Sequence, residues 1–377
     1  MAYARAEALT RLGQRLFFDP ALSASGKLAC ATCHDPKVGF GPPNALAVQA
    51  GGKDLQQLGL RAVPSLKYLQ TVPQFSEHYF ESDDEGDASI DNGPTGGLTW
   101  DGRVDRHRDQ AAVPLLSPFE MANATPGDVV KRLREREYTE AFEAIFGAAV
   151  LADDSKAFAA LGEALAVYQE DSRTFYPYSS KYDAYLAGRA RLTPQEARGL
   201  ALFEDPNKGN CASCHRSRVG NDGTPPQFTD YGLIALGLPR NPVIAANADS
   251  AFFDLGLCGP LRSDLADRAE YCGLFRTPSL RNVALRRTFF HNGLVHDLRR
   301  AVAFYVERDT EPEKWYPRNA DGTVRKFDDL PRPYQTNVNQ NPPLGPRPDN
   351  RPVLTAAEID DIVAFLGTLT DGFPQNP

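Results

Sequence analysis

The chain has 377 residues, a net charge of −8 and a pI near 5.4. At roughly 150 residues per domain, that length allows two domains, each able to bury a core of its own. The sequence has no basic stripe to suggest a nucleic-acid partner and no apolar run approaching the ~18–20 residues of a membrane span, so neither is expected.

The chain opens on an amphipathic pattern, Glu7-Ala8-Leu9-Thr10-Arg11-Leu12-Gly13, that runs as a helix into an Asp19-Pro20 break. A loop then delivers Cys30-Ala31-Thr32-Cys33-His34, and the pattern returns as Cys211-Ala212-Ser213-Cys214-His215. C-x-x-C-H is the attachment pattern of haem c. Cys30 and Cys33, and again Cys211 and Cys214, are expected to add to the haem vinyl groups as thioethers, with His34 and His215 as proximal iron ligands. A four-cysteine zinc site wants its pairs about 15–20 residues apart, and here most of a domain separates them. A C-x-x-C redox pair needs no following histidine. Two covalent haem c groups, each with its iron, are the expected cofactors.

The second half echoes the first. Leu12-Gly13-Gln14-Arg15-Leu16-Phe17-Phe18-Asp19-Pro20 and Gly199-Leu200-Ala201-Leu202-Phe203-Glu204-Asp205-Pro206 lead into the two haem motifs. Val63-Pro64-Ser65-Leu66-Lys67-Tyr68 corresponds to Thr277-Pro278-Ser279-Leu280-Arg281-Asn282, and Trp100-Asp101-Gly102-Arg103 to His291-Asn292-Gly293-Leu294. The expected fold is mainly α: two cytochrome c-like helical domains from an internal duplication, residues 1–168 and 169–377, with a seam near 165–190. Helical patterns at Val129–Phe146, Ala157–Tyr168 and Ala356–Leu369 fit this, and strand signals are sparse. Residues 82–97 read as a solvated acidic loop without EF-hand spacing. The proline-rich stretch 317–352 reads as an extended surface wrap.

Four of the six cysteines belong to the haem motifs. Cys258 and Cys272 either remain as buried thiols or close a short loop, in which case the chain-entropy estimate is roughly 3 kcal/mol. Such a bond persists in an exported protein, and haem c attachment also belongs to an oxidising compartment. The N-terminus shows no secretory leader. The expectation is a periplasmic protein whose leader has been removed.

The duplication also indicates what faces each iron. The offset that aligns Gly102 with Gly293 carries Pro114 onto Tyr305, so if Tyr305 lies over the second haem, Pro114 lies over the first. Proline has no ligand atom, which leaves the first haem five-coordinate and open to hydrogen peroxide. Gln110 lies one turn before Pro114. Glu120, read either as a surface glutamate or as an acid–base group, can take a proton from peroxide and return it to the leaving oxygen. Tyr305 is either a core aromatic or a hard axial donor favouring Fe(III) and Fe(IV). An axial methionine from the second half is excluded, since the only methionines are Met1 and Met121. His78, His107, His291 and His296 read as structural or propionate-bonding groups. Trp100 is either core or an electron relay between the haems.

These residues resemble the bacterial dihaem cytochrome c peroxidase family, and within it the MauG-like branch, over residues 8–371. The resemblance rests on both haem motifs, Trp100-Asp101-Gly102-Arg103, Gln110, Pro114, Glu120-Met121, Pro278-Ser279-Leu280-Arg281-Asn282-Val283-Ala284, His291-Asn292-Gly293 and Phe304-Tyr305. It implies a peroxide-reactive N-terminal haem, a six-coordinate His/Tyr C-terminal haem and Trp100 between them. It also implies a bis-Fe(IV) state that oxidises tryptophan of a protein partner. The alternative is a peroxidase that reduces hydrogen peroxide to water with electrons from a small redox protein. The chain departs from the branch at Gly209, where MauG has a surface tryptophan, and at Ala62, where MauG has a calcium-associated asparagine. Calcium is left open, with an arginine of the Leu285-Arg286-Arg287-Thr288 segment expected in its place. The Cys258–Cys272 pair is the third departure.

Overall fold

The computed structural model describes residues 2–80 and 89–374, so residues 82–88 of the expected acidic loop lie outside the described residues. The chain divides into two compact units, residues 1–71 with 104–177 and residues 72–103 with 178–377. The seam at 177/178 falls within the expected window. Residues 72–103 lie in the first half of the sequence but pack with the second unit, so the division at 168/169 follows the duplication and not the packing.

In the first unit, the helix Ala2–Phe18 places Leu9, Leu12, Leu16 and Phe17 on one face. They pack against Leu161, Ala164, Leu165 and Tyr168 of the helix Asp154–Gln169, which is capped by the Asp153 side chain. Gly13 makes this crossing possible: a Cβ there would run into the Ala164 carbonyl oxygen. The expected helix at 129–146 is two helices, Pro126–Leu133 and Thr139–Phe146. The Thr139 hydroxyl donates to the Leu133 and Arg136 carbonyls at 3.0 and 2.6 Å, a local bond that competes with continuing the helix. Antiparallel pairing of Ala50–Gly51 with Gln57–Leu58 makes a minimal hairpin.

The second unit repeats the scheme. The helix Pro194–Glu204, opened by a Thr193–Glu196 capping box, packs on the helix Ala356–Gly367, opened by a Thr355–Glu358 capping box. Gly199 plays the part of Gly13, because a Cβ would meet the Asp361 carbonyl oxygen. The helix Leu298–Glu307 adds Ala301, Ala303, Phe304 and Val306 to the same core. Leu233–Ile234 pairs antiparallel with Phe275–Arg276. The stretch 317–352 is largely irregular, with one 3₁₀ turn at Arg332–Asn337. It is anchored rather than loose: the buried Arg308 donates to the Asn339 carbonyl at 2.8 Å, and Gly345 N donates to Asp309 at 2.9 Å. No helix among the described residues is long and apolar enough to cross a membrane.

The duplication is written in the backbone as well as the sequence. Left-handed residues recur at Phe40 and Phe228, Tyr68 and Asn282, Thr99 and Phe290, and Gly102 and Gly293. Ser65 Oγ donates to the Gly39 carbonyl and Ser279 Oγ to the Gln227 carbonyl, both at 2.6 Å.

Candidate dihaem active site

Each C-x-x-C-H segment forms a single tight turn, Cys30–Cys33 in one unit and Cys211–Ser213 in the other. The backbone N–H of His34 returns to the Cys30 carbonyl at 2.9 Å, and that of His215 to the Cys211 carbonyl at 2.8 Å. This turn sets both cysteines and the histidine on one short arc. His34 Nδ1 donates to the Phe40 carbonyl at 3.0 Å and His215 Nδ1 to the Phe228 carbonyl at 2.9 Å. A carbonyl can only accept, so each imidazole carries its proton on Nδ1 and its lone pair on Nε2. That tautomer is the one an axial iron ligand needs, and the carbonyl bond fixes the ring's orientation. Both carbonyls belong to phenylalanines at φ +54°, a backbone conformation that turns them toward the histidine.

None of the four motif cysteines is in a disulfide. Burial, with Cys33 and Glu120 adding, pushes the Cys30 thiol up to about 12. Burial and Glu120 push Cys33 to about 11. Cys211 rises to about 12, chiefly by burial and then Cys214, and Cys214 to about 11 by burial and Asp230. A catalytic redox pair lowers a thiol. These buried, protonated pairs suit thioether formation, and the residues fit haem c on both this count and the histidine tautomer. Among the described residues no cluster of three His, Cys, Asp or Glu side chains forms a metal site.

In the first unit Gln110 closes the short helix His107–Gln110, and Pro114 lies in the following helix Ala112–Leu116. Met121 N donates to the Pro114 carbonyl at 3.0 Å, which folds the Glu120 segment back over Pro114. Glu120 is exposed and close enough to Cys30 and Cys33 for its charge to act on both. Glu120 thus lies near the first motif with Pro114 close to its segment, and Gln110 ends the helix just before. Sequence reading missed the brace behind Glu120. Gly52 N donates to the Glu120 carbonyl at 2.8 Å, and a Cβ on Gly51 would strike the Phe119 carbonyl oxygen and lie 2.8 Å from Glu120 Cα. The pair Gly51-Gly52 was the available signal.

In the second unit Tyr305 projects from the helix Leu298–Glu307, packed against Phe290 with ring centroids 6.0 Å apart. Burial, with Cys214 and Cys211 adding, raises its phenol above the usual range, which sets Tyr305 beside the second motif. Trp100 stands edge-on to His291, centroids 6.5 Å apart, and His291 stacks on Phe275 at 3.4 Å. Gly209 is closely packed, since a Cβ would lie 2.6 Å from the Leu202 carbonyl oxygen, so an aromatic side chain has no room there. Of the two arginines after Asn282-Val283-Ala284, Arg286 turns inward and its Nε donates to the Thr288 carbonyl at 3.2 Å, whereas Arg287 is exposed. Cys258 and Cys272 are joined as a disulfide.

Two C-x-x-C-H histidines of the same tautomer, one motif near a carboxylate and the other near a phenol, fit a dihaem oxidoreductase. The chain belongs to the dihaem cytochrome c peroxidase/MauG family. Residues 7–191 match the family described as CCP_MauG, di-haem cytochrome c peroxidase. The methylamine utilization protein MauG of Paracoccus denitrificans is 37% identical over 97% of this chain and 89% of its own length. The cytochrome c551 peroxidase of Pseudomonas aeruginosa is 29% identical over 78% of this chain and 70% of its own. The structure of the dihaem peroxidase BthA from Burkholderia thailandensis is 41% identical, covers 96% of this chain and 86% of that one, and has a TM-score of 0.82. The protein is therefore a haem-dependent oxidoreductase with the dihaem cytochrome c peroxidase fold.

Proposed function

We propose that the protein is a MauG-like enzyme that reacts with hydrogen peroxide and oxidises residues, tryptophan foremost, of a protein partner in the periplasm. Its two domains would each hold one haem c covalently, through Cys30, Cys33 and His34 and through Cys211, Cys214 and His215. When bound, the haems supply the oxidising equivalents, stored across both irons as the bis-Fe(IV) state that the MauG branch implies. The observation that carries this reading is Tyr305 beside the second haem motif, in a half that contains no methionine. A phenolic oxygen is a hard donor and supports a high iron oxidation state, where a thioether would favour Fe(II).

This chain's own residues divide the work. Pro114 offers no ligand atom and keeps one haem face open for peroxide. Glu120 accepts a proton from the bound peroxide and delivers it to the leaving oxygen, and Gln110 holds the peroxide in place. Trp100 relays electrons between the irons. Arg286, which donates to the Thr288 carbonyl, would stand in for the calcium that the branch uses.

A second reading is a peroxidase that reduces hydrogen peroxide to water with electrons from a small redox protein. The similarity to cytochrome c551 peroxidases and to the peroxidase BthA favours it. The optical and near-infrared spectrum of the diferric protein, before and after one equivalent of peroxide without prior reduction, separates the two. A near-infrared charge-resonance band with loss of the ferric signals is expected. Turnover only after one haem has been reduced, with no such band, would establish the peroxidase.

A further inference from the structure

Trp100 sits on a turn whose backbone is unfavourable without help. Thr99 has φ +72°, a left-handed conformation that suits no β-branched residue, and Gly102 has φ +63°. Two arginines brace it. Arg276 donates from its backbone N–H to the Trp100 carbonyl at 2.8 Å and from Nε to the Thr99 carbonyl at 3.1 Å. Arg262 donates from Nη1 to the Asp101 carbonyl at 3.0 Å. The Asp101 carboxylate, fully buried, accepts from Thr99 Oγ1 at 2.6 Å and Arg103 Nη1 at 2.7 Å, which closes the turn from within.

Arg262 is itself buried, at 6% exposure. Its charge is matched by Asp264 through two bonds of 2.8 Å, and its guanidinium lies 3.9 Å from the centre of the Phe75 ring. A buried guanidinium held on three sides is a rigid post, because none of its contacts can be lost without stranding the others. It comes from the loop that the Cys258–Cys272 disulfide closes, and Arg276 follows that bond by four positions. Residues 258–272 form only short 3₁₀ and turn structure, and the disulfide joins the Arg268–Glu77 ion pair and the bonds from Asn337 to the Ala269 and Cys272 carbonyls in fixing the loop that carries Arg262.

We propose that Arg262 is a positioning residue for Trp100, and that the Cys258–Cys272 disulfide, by holding Arg262, sets how fast an electron crosses between the two haems. The inference rests on the reading of Trp100 as the relay. In that relay one electron would pass from the second haem to the first with Trp100 as the bridge, the indole keeping its own oxidation state, so that transfer can be followed between ferrous and ferric irons. Asp101 and Arg103 belong to the turn itself, whereas Arg262 acts on it from a separate loop.

The test is the rate of electron equilibration between the haems of the full protein after flash reduction. It is measured for the wild type, Arg262→Met, Arg262→Lys, the double variant Cys258→Ala/Cys272→Ala, and Trp100→Phe. Displacing the bridge lengthens the transfer path, so Arg262→Met is expected to slow transfer measurably. Arg262→Lys keeps a cation over Phe75 and a donor for Asp101, and should retain most of the rate. The double cysteine variant should slow transfer in the same direction by less. The electron paramagnetic resonance signals of both ferric haems should stay as in the wild type, which a general loss of structure would not allow. Arg262→Met should add nothing in the Trp100→Phe background. Slow transfer in Trp100→Phe with wild-type rates in Arg262→Met and in the double cysteine variant would overturn the positioning role alone. Unchanged transfer in Trp100→Phe would overturn the relay, and the positioning role with it.

Discussion

In the first unit His34 gives its Nδ1 proton to the Phe40 carbonyl, and in the second His215 gives its own to the Phe228 carbonyl, at distances that differ by 0.1 Å (3.0 and 2.9 Å). The helices that precede the two motifs cross their partners at Gly13 and Gly199 for the same steric reason. The proximal apparatus has been copied and kept. Near the motif, the first unit presents the carboxylate of Glu120 and the second the phenol of Tyr305. Under the proposed function one scaffold would support two chemistries, with the difference carried by a few side chains near the motif.

If the phenol of Tyr305 makes the second site different, replacing it should have the largest effect. Tyr305→Met is expected to raise the potential of the second haem, as thioether ligation does, and to remove the near-infrared band altogether, leaving the first haem's ferric spectrum in place. Spectroelectrochemistry with the peroxide titration reads both. A band of undiminished intensity would remove Tyr305 from the second iron. For the first site, Glu120→Gln keeps the size of the side chain and removes its base. General acid–base groups contribute typically about 10²–10⁴-fold, and a loss of that order in the stopped-flow rate of reaction with peroxide is expected, with the second haem's spectrum unmoved. An unchanged rate would return Glu120 to the surface.

Gly51→Ala probes the brace behind Glu120. Its methyl group would press on the Phe119 carbonyl and Glu120 Cα. A displacement of about 1 Å can cost on the order of 100-fold; since the carboxylate itself remains, we expect a smaller loss than in Glu120→Gln. The pH profile of the peroxide reaction should flatten toward that of Glu120→Gln. A slower reaction with the wild-type profile would mean that the hairpin acts on folding and not on the carboxylate.

The proximal apparatus was legible in the sequence because C-x-x-C-H is contiguous and the chemistry needs every residue of it. Pro114, Tyr305 and the helices could be reached because the duplication supplies an internal alignment. Residues 72–103 could not be placed, since sequence order gives no sign that Trp100 is pinned by Arg276 and Arg262, more than a hundred positions away. Nor were the Phe40 and Phe228 carbonyls visible, because a backbone acceptor leaves no trace in residue type. The break between Leu133 and Thr139 was missed because helical periodicity continues across it, and only the Thr139 hydroxyl, bonding backward to Leu133, shows why the helix stops.

The copied part of the two sites can be tested on its own. Gly13→Ala and Gly199→Ala each place a methyl group against a carbonyl oxygen of the crossing helix. Overpacking of this kind costs about 1–3 kcal/mol, and if the halves are true copies the two costs should match. Denaturant unfolding followed separately at the two haem spectra measures them. A large cost at one glycine and none at the other would mean that one crossing relaxes where the other cannot, and that the duplicated scaffold has diverged below the sites as well as in them.

The smallest effect expected is none at all, and it bears on what joins the comparison together. Arg286 Nε holds the Thr288 carbonyl, and a cation already in place leaves that oxygen with less to offer calcium. Prolonged treatment of the diferric protein with a calcium chelator should leave both haem spectra and the peroxide reaction unchanged, whereas Arg286→Met should make the same treatment matter or create a demand for added calcium. Calcium retained by the untreated protein at one equivalent, with altered haem spectra on its removal, would show that Arg286 accompanies the divalent ion instead of replacing it.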